Sequence, residues 1–94
     1  MAKTAKNTGA KLTAFKFRAP QANRVSLAGS FNNWDTQTFT AKKDSRGNWV
    51  VKVRLQPGRY EYKFFVDGNW MEDPNNKTRS FNTFGSQNSV IEVK

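Results

Sequence analysis

From Leu12 onward, apolar residues recur at every second position in short runs that end in turn residues. This alternation constrains the chain more than any other feature. A strand sends successive side chains to opposite faces, whereas an amphipathic helix repeats about every 3.6 residues. In TAFKFR, Phe15 and Phe17 share one face while Lys16 and Arg18 share the other. RVSLA repeats the pattern with Val25 and Leu27, and TFTAK around Phe39 is a weaker run. NWVVKVRL sets Trp49, Val51, Val53 and Leu55 against Lys52 and Arg54. Pro57-Gly58 then turns the chain into RYEYKFFV, where Tyr60, Tyr62, Phe64 and Val66 alternate. Asp67-Gly68 is a hairpin signal leading into NWM, and NSVIEV forms the last strand.

About seven short strands with frequent turns and no crossover helix predict an all-β chain, an antiparallel β-sandwich. A small barrel is the competing topology. The run from Glu72 to Gln87 shows no clear period and is expected to be a long functional or disordered loop. At 94 residues the chain holds one domain. Residues 1–11, with Lys3, Lys6 and Lys11 and no acid, are expected to form a flexible basic tail, and residues 12–94 the folded β domain.

The chain has neither cysteine nor histidine. That removes disulfides, thiol chemistry, zinc sites built on nitrogen or sulfur, and the commonest general base. No cofactor or metal is expected. No apolar run is long enough for a membrane span or a secretory leader, so the expected location is cytoplasmic, with no membrane partner. The net charge of +9 fits either a polyanionic partner or simple solubility.

Aromatic residues make up 14% of the chain, and alternation assigns Phe15, Phe17, Trp49, Tyr60, Tyr62 and Phe64 to the core. It leaves Trp34 after a turn, Phe65 opposite the core face, Trp70 beyond the hairpin and Phe84 in the long loop. Such rings either cap the open ends of a sandwich or form platforms on which a sugar ring stacks, with nearby amides and amines bonding its hydroxyls. Asn32, Asn33, Asn69 and Asn88 supply amides, and Lys63 projects from the outward face of its strand.

Three blocks in order, FKFRAPQANRVSLAGSFNNWD, RYEYKFFVDGNWMEDP and FGSQNSVIEV, resemble carbohydrate-binding module family 48. That family includes the glycogen-binding domain of the AMP-activated protein kinase β subunit and the N-terminal domains of isoamylases and glycogen branching enzymes. The resemblance covers residues 12–94 and implies an immunoglobulin-like sandwich that binds α-1,4-glucan without catalysing a reaction. It implies that Trp34 and Trp70 are stacking rings and that Lys63 and Asn88 bond glucose hydroxyls. Kinase-type members carry leucine and threonine where this chain has Phe84 and Ser86. Serine keeps the hydroxyl, and Phe84 reads either as a third stacking ring, the favoured role, or as part of the core. The implied partners are an α-glucan and a protein or glucan-metabolising enzyme recruited to it.

Two other functions compete. A small basic β domain with rings and cations interleaved, as in FKFR and YKFF, also suits single-stranded nucleic acid. Against it, the basic residues are scattered over several strands instead of gathering with the unplaced rings. Glycoside hydrolysis needs two carboxylates flanking the bond, and Asp67, Glu72 and Asp73 are available. Asp67 belongs to a hairpin turn, however, and the others begin a loop, so the reading is of a non-enzyme.

Overall fold

The structure is a computed structural model that describes residues 9–82 and 85–94. Nine strands run through them: β1 (Lys11–Arg18), β2 (Val25–Gly29), β3 (Phe39–Thr40), β4 (Lys42–Lys43), β5 (Asn48–Leu55), β6 (Gly58–Val66), β7 (Asn69–Met71), β8 (Arg79–Phe81) and β9 (Gln87–Val93). They form two separate antiparallel sheets, β1-β5-β4 and β3-β2-β6-β9-β8, with β7 paired to β6. The sandwich holds and the barrel does not. Most of the expected tail lies outside the described residues, and Lys11 already opens β1 opposite Leu55.

The alternating runs bury the faces they should. Phe15, Phe17, Trp49, Val51, Val53 and Leu55 face inward from the smaller sheet, and Val25, Leu27, Tyr62, Phe64 and Val66 from the larger. The layers meet where Phe15 packs edge-on against Tyr62 at 4.9 Å and Phe17 against Phe64 at the same centroid distance. Trp49 is core, as expected, and its indole N–H donates to Ala19 O at 2.8 Å. Phe31, which alternation does not place, lies 6.0 Å from each of Phe15, Phe39 and Tyr60 and closes that part of the core.

The run from Glu72 to Gln87 departs from a plain loop, because it contains β8. Asp73, in the same run, is buried: the Tyr62 hydroxyl donates to Asp73 Oδ2 at 2.7 Å, and the backbone N–H of Asp73 donates to Ser89 Oγ. Asn76 donates to both Tyr62 Oη and Val90 O. Burial first, and then the bond to Asp73, push the Tyr62 phenol well above its usual range, while the Asn76 bond opposes them. This satisfied polar cluster ties the segment to the core, where an unpaired group would cost about 1–3 kcal/mol.

Candidate functional site

Two turns carry the rings that alternation leaves over. In the first, Gly29 O accepts the backbone N–H of Asn32 and of Trp34, while Asn32 Oδ1 accepts the N–H of Gly29. A side chain at position 29 would meet Glu61 O at 2.4 Å, so only glycine lets β2 leave its partner here. Asn33 and Trp34 both take left-handed backbone, with φ of 56° and 59°. Asparagine tolerates that region. A tryptophan there is strained, by about 1–2 kcal/mol, so the surrounding bonds hold it in place.

The second turn is Asp67-Gly68, with φ of 48° and 88°, the conformation that a two-residue hairpin requires. The Asp67 carboxylate accepts the backbone N–H of Asn23 and of Arg24, at 3.0 and 2.8 Å, anchoring the hairpin to the chain entering β2. The hairpin sets Trp70 opposite Phe65 across the β6–β7 ladder. Their ring centroids are 4.8 Å apart, so Phe65 backs Trp70. Trp70 stays 46% exposed, and Trp34 meets it edge-on at 6.2 Å.

Beside the rings lies a concavity of about 460 Å³ lined by Trp34, Lys63, Trp70, Asn82, Ser86 and Asn88. Five of the six residues expected from the sequence thus share one site. The sixth, Phe84, lies outside the described residues. Lys63 Nζ donates to Ser86 Oγ at 3.2 Å. Asn88 is buried, and its amide N–H donates to Glu61 Oε1 at 2.9 Å. That bond, opposed by partial burial and aided by Arg59, holds the Glu61 carboxyl below its usual range.

Sequence reasoning missed Asn82 and Glu61. Asn82 Oδ1 accepts the backbone N–H of Ser86, Asn82 Nδ2 donates to Ser86 Oγ, and Asn82 N donates to Ser86 O. The signal was present in an asparagine placed shortly before Gly85, a turn spacing, but no strand had been assigned to lead into it. The other candidate amides serve the turns. Asn32 closes the first one, and neither Asn33 nor Asn69 lines the concavity.

The carboxylates weighed for hydrolysis are engaged elsewhere: Asp67 with backbone, Asp73 with Tyr62, and Glu72 with Arg79 Nε at 2.7 Å. None lines the concavity. Among the described residues no group of His, Cys, Asp or Glu is arranged to hold a metal ion, and no helix is long and apolar enough to cross a membrane.

An open hollow walled by rings has the build of a recognition surface, and the class it fits is the carbohydrate-binding module. Residues 12–94 match the family model described as the glycogen recognition site of AMP-activated protein kinase, and the chain belongs to that family. It is 39% identical over 85 residues to 5'-AMP-activated protein kinase subunit beta-1 of Bos taurus, covering 90% of this chain and 30% of that subunit. It is 42% identical over 72 residues to Protein FLOURY ENDOSPERM 6, chloroplastic, of Oryza sativa subsp. japonica, covering 77% of this chain and 13% of that protein. A crystal structure of maltogenic amylase from S. marinus superposes with a TM-score of 0.76 at 24% identity, over 92% of this chain and 14% of the amylase. That last likeness concerns the fold. The chain spans about 30% of the length of the kinase subunit it resembles.

Proposed function

We propose that the chain binds α-1,4-linked glucan, glycogen or starch, without chemical conversion, in the concavity beside Trp34 and Trp70. The observation that carries this reading is the meeting of five residues far apart in the chain, from one turn, three strands and a loop, around one hollow with a half-exposed tryptophan at its wall. A ring held by its neighbours removes the C–H face of a glucose unit from water at about 25 cal/mol per Å². Lys63, Ser86 and Asn88 then bond hydroxyls, each exchanging a water contact for a net gain of about 1 kcal/mol. Short oligosaccharides should therefore bind with Kd between about 1 μM and 1 mM, and branched polymers more tightly through multiple chains. Because the matched kinase proteins are subunits, the reading extends to a module that brings a protein partner to the glucan.

Native gel electrophoresis in an acidic buffer, with and without glycogen in the gel, tests this directly. The parent should be retarded by glycogen and Trp70→Ala should run freely while keeping its circular dichroism. Equal retardation of a folded Trp70→Ala would overturn the site.

A further inference from the structure

The outward face of the β1-β5-β4 sheet carries cations and no acid. Its side chains are Leu12, Ala14, Lys16 and Arg18 from β1, Asn48, Val50, Lys52 and Arg54 from β5, and Lys42 from β4. The register stacks these cations at successive levels. Arg18 sits beside Asn48, Lys16 and Lys42 flank Val50, Lys52 sits beside Ala14, and Arg54 beside Leu12. Levels two residues apart are separated by about 6.8 Å, so the ladder runs roughly 20 Å along the strands. All five cations are exposed.

No ion pair among the described residues engages them, although Asp44 lies near enough to Lys16 to feel its charge. The ion pairs found among the described residues, Arg59–Glu61 and Arg79–Glu72, belong to the other sheet and its loop. The neighbouring acid, Asp44, accepts the backbone N–H of Arg46 and of Asn48 and so closes its own turn. Arg18 donates to Arg46 O, which leaves its charge uncompensated. A neutral glucan has no use for this charge, and the ring-walled hollow lies on the other sheet.

We propose that this face docks an extended segment of a partner protein carrying Asp or Glu at alternate positions. An extended chain repeats every two residues at the same spacing as the ladder, so its carboxylates fall in line with successive cations. Leu12, 56% exposed at the end of the ladder, adds an apolar contact. The face carries no aromatic ring on which a base would stack, and Leu12 alone among its described large apolar side chains is exposed enough to enter a lipid surface.

The test is fluorescence anisotropy with a dye-labelled Glu-Ser repeat peptide of about twelve residues at roughly 0.1 M salt. Lys52→Glu/Arg54→Glu is compared with Lys77→Glu/Lys94→Glu, which changes net charge equally at exposed positions off this face. The expected result is a loss of at least about tenfold in peptide affinity for the first variant and less than about threefold for the second. Glycogen retardation should be unchanged in both, and Lys52→Gln/Arg54→Gln serves if charge reversal impairs folding. Absence of peptide binding, equal losses in the two variants, or equal affinity for a peptide with its glutamates in one block would overturn the proposal. Tighter binding of an oligo-dT strand or of phosphatidylserine vesicles, lost in the first variant, would overturn it in favour of nucleic acid or lipid.

Discussion

Trp34 joins a bulky side chain to a backbone that suits glycine. The bonds from Gly29 and Asn32 hold the turn, so the ring stands where Trp70 meets it edge-on. This predicts a reversal of the usual order of substitutions. Trp34→Gly should be more stable than Trp34→Ala by about 1 kcal/mol in urea denaturation, because alanine keeps the left-handed strain and glycine does not. Both variants should lose retardation by glycogen. An alanine variant as stable as the glycine variant would show that the turn relaxes once the ring is gone. Glu61 makes the second prediction at this scale. Asn88 holds its carboxyl below the usual range, so the charged form and its hold on Asn88 are fully present above pH 4.5 and are lost as the pH falls through the lowered value. Glycogen affinity should be level from neutral pH down to that range and fall below it, and Glu61→Gln should flatten the fall while circular dichroism confirms folding at each pH. An unchanged acid limb in Glu61→Gln would assign the fall to another group.

At the scale of elements, the long strands were readable because alternation is a local property: β1, β5 and β6 announce their buried faces residue by residue, whereas β9 buries Asn88, Ser89 and Val90 in succession. The short strands were not, since two or three residues hold no period. Strand β8 exists because β9 pairs with it and because Arg79 bonds Glu72, contacts that the alternation of a three-residue run does not encode. Phe65 shows the same limit, an outward ring whose partner is fixed only when β7 folds back. The hairpin bearing Trp70 depends on one carboxylate at its tip. Asp67→Ala removes two acceptor contacts and leaves alanine in left-handed backbone, so it should lower unfolding free energy by about 1–3 kcal/mol. It should also weaken glycogen binding, although Asp67 does not line the hollow, and Asp67→Asn should recover part of both. Unaltered affinity in a destabilised Asp67→Ala would mean that the hairpin holds Trp70 without its anchor. The five described site residues were legible through resemblance to a family, not through spacing, because one turn, three strands and a loop bring them together.

For the whole molecule, the sequence reading of scattered basic residues was right about the chain and incomplete about the fold. Three strands that are separate in sequence become one sheet, and their cations become one face. The proposed glucan site and the charged face therefore sit on different sheets and should answer to different conditions. Raising salt from about 50 to 500 mM should change glycogen retardation by less than about twofold, since the ligand is neutral and the Debye length matters only to charges. A steep decline with salt would show that the charged face takes part in holding the polymer.

The packed layer of Phe15, Phe17, Tyr62 and Phe64 between the sheets has a mechanical meaning. Such a filling resists compression and offers few alternative arrangements, so the two outer faces are held at a fixed separation. With both faces occupied as proposed, the module would act as a rivet, fixing the distance between its two occupants.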